Sequence, residues 1–220
     1  MPNDAEMEKI VKLAQQDVGA LREKINGLDD LSLDLMFRKA RSHNAWQDKP
    51  VTDETLHQLY ELMKWGPTSN NSCPARIIFA KSDEAKERLV SCVMPNNENK
   101  VRTAPAVAII GTDMNFYDQL PKLFPPNPDV NQRFIDNPNL VEPFAFRNST
   151  LQGAYLMFAA RAIGLDAGPM SGFKNPEVDE AFFKGTKIQS NFLCALGYAD
   201  ETGIFQRLPR LAFDEACQIL

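Results

Sequence analysis

Three short runs leave this chain little choice of architecture. RIIFA from Arg76, AVAII from Ala106 and NFLCALGY from Asn191 are nearly unbroken in apolar residues, whereas a strand with one wet face alternates apolar and polar side chains. They read as central strands of a sheet covered on both faces. Covering two faces takes helices on each side, and 220 residues at 44% hydrophobic content supply a core large enough to do it. The expectation is an α+β fold, a mixed central sheet surrounded by helices.

The helices are legible from periodicity and caps. Met7, Ile10, Val11, Ala14, Val18, Leu21 and Ile25 recur at helical spacing and mark an amphipathic N-terminal helix, suited to packing on the body or on a second subunit. After the break at Gly27 to Asp30, Leu31 to Ala40 reads as a second helix. Thr52 looks like an N-cap, followed by one apolar face of Leu56, Leu59, Tyr60 and Met63. Glu84 to Cys92 reads as a helix, Asn148 to Ile163 as a long one closed by Gly164, and Asn175-Pro176 as a helix start with Asn as the cap. Residues 113–143, with six prolines among Phe116, Tyr117, Phe124 and Phe134, read as an ordered aromatic lid. Residues 1–30 are taken as a helical extension and 31–220 as a single domain.

Charge and missing motifs narrow the function. The net charge is -5 with Lys and Arg dispersed, which argues against nucleic acid as a partner. The longest apolar run, Ala104 to Gly111, falls far short of the roughly 18 residues of a membrane span. The N-terminus is charged from the start and lacks a signal-peptide core, so a soluble cytoplasmic protein is expected. Four cysteines without C-x-x-C spacing and two histidines make a metal site improbable and read as reduced structural thiols. There is no G-x-G, Walker A or G-x-S-x-G element, so a nucleotide, if bound, is bound in another way.

Four polar clusters sit at the edges of these elements. Arg41-Ser42-His43-Asn44-x-Trp46 could converge a guanidinium, a hydroxyl and an amide on a phosphate, although a capped helix end would look the same. Pro67-Thr68-Ser69-Asn70-Asn71 carries more hydrogen-bonding groups than a turn needs. Asn97 and Lys100 precede the Ala106 strand, where a surface lysine is the ordinary reading. Pro169, Met170, Ser171 and Gly172 lie in a Gly-Pro-Met-Ser-Gly-Phe turn that lets a flat ligand approach the backbone, and Arg207 and Arg210 bracket a late Arg-Leu-Pro-Arg.

In this order and spacing the clusters resemble the nitroreductase family of FMN-dependent oxidoreductases, from about Phe37 to the C-terminus. The His-Asn-x-Trp, Trp-Gly-Pro-Thr-Ser, Pro-Ala-Arg, Ala-Phe-Arg-Asn-Ser and Arg-Leu-Pro-Arg patterns resemble its malonic semialdehyde reductases of pyrimidine degradation. Two positions depart from the general pattern: Asn44 stands where a basic residue is common, and Cys73-Pro74-Ala75-Arg76 replaces Gln-Pro-aromatic. The resemblance implies a homodimer with FMN at the subunit interface, reduced by NADH or NADPH in a ping-pong cycle. It implies cofactor contacts from Arg41, Ser42, Asn44, Pro67, Thr68, Ser69, Asn71, Asn97, Lys100, Pro169, Met170, Ser171, Gly172, Arg207 and Arg210. Lys100 would be the cation beside the flavin's N1 and O2, and the Ser171 N–H the partner of N5. Arg147, then Arg76, are the candidate anchors for a small anionic aldehyde, with Phe124 beside it. A broad nitro- or quinone reductase and a non-catalytic flavin-binding regulatory module are the alternatives.

Overall fold

The computed structural model describes the backbone of residues 4–220 and side chains from Glu6 onward. Residues 1–3, the start of the segment read as lacking a signal core, lie outside it. The chain divides into two units, Met1–Ala40 and Arg41–Leu220, a boundary later than residue 30 because the second helix groups with the first.

The first unit holds α1 (Asp4–Lys24) and α2 (Asp30–Leu33), the latter running into a π-helical turn, Asp34–Arg38. Asp29 caps α2 by accepting the Ser32 N–H at 2.7 Å. Where one helix was expected over Leu31 to Ala40, the winding widens midway. Arg38 stays over Asp34, at 2.6 Å, and Asp30, at 2.9 Å.

The second unit is built on a sheet of β1 (Ala75–Ala80), β2 (Ala106–Asp113), β3 (Asp166–Met170) and β4 (Ile188–Gly197) in the order β1-β2-β4-β3. Each neighbouring pair is antiparallel, and the mixed character enters through a parallel bridge between Ser42 and Ala167. Both faces are covered, as the unbroken apolar runs require. On one face Ile77, Ala108, Ile110, Cys194 and Leu196 meet α3 (Asp53–Met63) and α8 (Val141–Ala162). On the other, Ile78, Val107, Ile109 and Leu193 meet α4 (Asp83–Val90), α5 (Pro95–Thr103) and α9 (Asn175–Phe182).

Several local readings carry over. Thr52 caps α3 by accepting the Thr55 N–H at 3.2 Å, and Gly164 closes α8 with φ +80°. Two do not. Asn175 is no cap: Lys174 takes that place, and the Asn175 amide donates to the Ser190 carbonyl at 2.7 Å, tying α9 to β4. The helix expected from Asn148 starts at Val141, because Pro143 falls in its first turn, where a missing N–H costs nothing.

Residues 113–143 fold into short helical turns, among them α6 (Leu120–Leu123) and α7 (Gln132–Asp136). Phe116, Phe134 and Phe144 lock these together at centroid distances of 4.8–5.2 Å, forming a small core of their own. The chain ends in an exposed tail carrying Phe205, Leu208, Leu211 and a single helical turn, α10 (Phe213–Ala216).

Candidate functional site

The polar clusters collect into two groups. The first surrounds β3. Ser42 bridges to Ala167, and the His43 N–H donates to the Ala167 carbonyl at 3.1 Å. Arg41 donates to the Phe205 carbonyl, which draws the late Arg207-x-x-Arg210 segment to the early one. Asn44 is half-buried beside them, and the Arg210 guanidinium folds back onto the carbonyls of Leu208 and Pro209. His43 Nε2 faces Asp166 Oδ1 at 3.2 Å. Burial alone would raise the Asp166 carboxyl, but the hydrogen bonds from His43 and the Ala199 N–H outweigh it and hold the group below the usual range. His43 Nδ1 is buried without a partner.

Lys100 is the unexpected member of this group. The ordinary reading puts it on the surface, yet it is 6% exposed, one residue from the fully buried Val101 of α5. Its ammonium donates to the Pro169 carbonyl at 3.3 Å and has no ion pair among the described residues. Burial pushes its pKa down, and the nearby Cys194, whose own thiol burial pushes up to about 12, offsets only part of that fall. Gly168 makes room for the arrangement: a Cβ there would stand 2.6 Å from Lys100 Cε and 2.3 Å from the His43 carbonyl.

The Ser171 turn is fastened to the same helix. Asn97 Nδ2 and the Met94 N–H both donate to the Gly172 carbonyl, at 3.0 and 2.9 Å, and a Cβ on Gly172 would meet the Asn97 amide at 2.6 Å. A Cβ at either glycine would collide with the chain's own Lys100 or Asn97, and Pro169-Met170, expected as part of a turn, belongs to an edge strand that tolerates a proline.

The second group lies at the start of β1. Asn70, Asn71 and Cys73 all have positive φ, of 53°, 48° and 42°, a conformation that non-glycine residues hold only under constraint. The constraints are specific. Asn148 of α8, 1% exposed, accepts the Ser69 N–H at 2.8 Å and donates to the Phe144 carbonyl at 2.8 Å. Asn71 donates to the Leu123 carbonyl at 2.9 Å, and Thr68 accepts the Cys73 N–H at 3.2 Å. Pro67 leads into this loop and Trp65, before it, is 78% exposed. Sequence reasoning passed over Asn148. Its signal was an asparagine on the buried face of a long helix, beside the buried Ser149 and Gln152.

The substrate candidates fall in this second group. Arg76 pairs with Asp113 at 2.7 Å and donates to the carbonyls of Cys73 and Ala75, so its guanidinium is committed. Arg147 precedes Asn148, is exposed and has no ion pair among the described residues, while half-buried Phe124 follows Leu123. An open groove of about 940 Å³ runs along the free edge of β1 between α3 and the Gln119–Leu123 turn, with Cys73, Arg76 and Gln152 in its wall.

The two groups stand at opposite edges of the sheet. Three strand spacings of about 4.8 Å separate β1 from β3, so the loop and the β3 cluster stand at least roughly 14 Å apart across the sheet within one chain. The β3 group offers a buried cation, arginines and a backbone turn, a donor set that suits a phosphorylated, electron-rich planar ligand. The β1 group offers short polar side chains and a free arginine. No group of side chains among the described residues could hold a metal ion.

The chain belongs to the nitroreductase family, whose model matches residues 37–198. A Burkholderia lata protein provisionally named NADH dehydrogenase/NAD(P)H nitroreductase is 55% identical over 192 residues, 87% of this chain and 98% of that one. A Ralstonia pickettii protein, provisionally named NADH dehydrogenase/NAD(P)H nitroreductase HadB, is 55% identical over 86% of this chain and 97% of its own. Among solved structures, a provisionally assigned nitroreductase of Exiguobacterium sibiricum in complex with FMN superposes with a TM-score of 0.78 at 22% identity, covering 88% of this chain and 98% of that one. A provisionally assigned NAD(P)H:FMN oxidoreductase of Staphylococcus epidermidis gives 0.74 at 19% identity, over 88% and 97%. These likenesses establish the nitroreductase fold.

Proposed function

We propose that the protein is an FMN-dependent NAD(P)H oxidoreductase, cytoplasmic and homodimeric, that reduces malonic semialdehyde to 3-hydroxypropionate. The observation that carries the flavin reading is Lys100. A buried ammonium with one carbonyl and no carboxylate is costly in a chain standing alone, and the cost is offset when an electron-rich ligand supplies the missing negative charge. The provisional NAD(P)H nitroreductase names of the relatives and the FMN held by the Exiguobacterium protein point the same way.

The separation of the two groups supports the dimer. A single bound isoalloxazine that uses both the β3 group and the Thr68–Asn71 loop takes one from each chain, giving two equivalent sites about a twofold axis. Arg41, Ser42, Asn44, Arg207 and Arg210 would hold the phosphate, Pro169, Met170 and Gly172 would form the bed of the ring, and Asn97 would fix the turn. FMN, when bound, accepts a hydride from NADH or NADPH and passes one to the second substrate. The chain's own part is to keep a positive charge near the pyrimidine side with Lys100, aim the Ser171 N–H, and hold the substrate. Arg147 would pair with the carboxylate of malonic semialdehyde while the aldehyde carbon takes the hydride and its oxygen takes a proton from water. Phe124 would limit the space to a small molecule.

The test is direct. The purified protein should be yellow and should oxidise NADH or NADPH when malonic semialdehyde is added. Arg147→Ala should raise KM for that substrate by about 10- to 150-fold, the worth of one charge-assisted hydrogen bond, with quinone turnover nearly unchanged. Arg207→Ala should weaken FMN binding over a similar range in titration. Quinone reduction without aldehyde reduction would replace this reading with a broad-specificity reductase, and bound flavin without NAD(P)H oxidation would leave a binding module.

A further inference from the structure

The family match begins at residue 37, so α1 stands outside it. Its apolar stripe has a stricter period than a surface helix needs. Val11, Val18 and Ile25 repeat every seven residues, and Met7, Ala14 and Leu21 repeat every seven in the alternate position. This is a heptad pattern with β-branched Val11, Val18 and Ile25 at the first core positions of the seam, as in two-stranded parallel coils, and Met7, Ala14 and Leu21 at the second. Apart from the small Ala14, the stripe's side chains are 44–60% exposed in the single chain. Ile25, just past α1, still donates its N–H to the Leu21 carbonyl at 3.0 Å, so the seam runs unbroken from Met7 to Ile25.

Charge selects the partner. In a parallel, in-register pair the position just before one core residue faces, across the seam, the position five residues on in the other helix. Asp17 therefore faces Arg22 of the second copy, twice by symmetry, and each flank pairs opposite signs. We propose that α1 of one copy pairs with α1 of a second copy as a parallel two-stranded coiled coil. Three heptads are weak alone. A dimeric body would hold the two helices at millimolar effective concentration, where weak pairing suffices.

The experiment uses the full chain with its exposed native thiol removed by Cys217→Ser. Val11→Cys and Ile25→Cys, made singly, should each cross-link to a disulfide dimer under mild oxidation, and outward-facing Gln16→Cys should not. Asp17→Arg should slow cross-linking at Val11→Cys several-fold by opposing like charges, and adding Arg22→Asp should restore it. An antiparallel pair would cross-link only in mixtures of the Val11→Cys and Leu21→Cys chains, where first and second core positions face each other, and that result overturns the proposal. So does failure of both positions to cross-link, as when α1 packs on its own chain's body. Flavin content is measured on the same samples, so a colourless protein would overturn the proposed function whatever cross-links form.

Discussion

Lys100 carries a charge that its own chain does not answer. Burial holds its pKa below the usual lysine value, so the unfolded chain binds this proton more tightly than the folded one. The sign follows: the flavin-free protein should gain stability as pH rises from the folded pKa toward about 10.5, where the unfolded lysine also loses its proton. Lys100→Met should remove that slope and raise the Tm of the flavin-free protein at neutral pH, on the order of 1 kcal/mol or about 2–4 °C. The same substitution should lower flavin affinity and reduction potential. Thermal unfolding of both forms at two pH values checks it, and a lower Tm for the flavin-free variant would show that Lys100 is a structural asset. This residue also marks a limit of sequence reading. Its motif position was visible, but its burial depends on Gly168, distant in sequence and lacking the side chain that would exclude it.

The elements that sequence disclosed were those with a strong period or a clear cap: β1, β2, β4, α1, α3, α4, α9 and the end of α8. Among those it missed, α5 and β3 carry the proposed site. In α5, PNNENKVRT offers a single apolar residue, Val101, so no stripe announces a helix. In β3, DAGPM joins a glycine and a proline, which read as a turn until an edge position excuses both. The Thr68–Asn71 loop was visible as a surplus of polar groups, but not its left-handed backbone, because the restraint comes from Asn148 on a distant helix. Asn148→Ala should remove the hydrogen bonds to the Ser69 N–H and the Phe144 carbonyl and cost about 1–3 kcal/mol of stability. As a positioning residue it should also lower flavin affinity, and Asn148→Asp, which keeps the accepting oxygen, should recover part of that affinity. Equal flavin binding by wild type and both variants would mean that the loop keeps its shape without Asn148.

If each proposed site draws on two chains, defects in different halves should complement. A chain with Lys100→Met spoils only the β3 half, and one with Asn148→Ala only the β1 half. Coexpressed at equal levels, half the dimers would be mixed, each with one intact and one doubly damaged site, so activity should recover to about a quarter of wild type when both parents are nearly inactive. Activity no greater than the average of the two parents would place each site within one chain.

The two tryptophans give this architecture an optical signature. Trp46 lies 8% exposed beside His43, and Trp65 stands 78% exposed at the mouth of the Thr68–Asn71 loop. Excited together, they should emit as one buried and one wet indole. A partner chain that brings its flavin to the loop would dry the second and quench it by energy transfer, so dilution of the yellow protein should shift the emission to the red and brighten it. Trp65→Phe should erase that response and leave the emission of Trp46, which makes one side chain a reporter of assembly at concentrations too low for sizing.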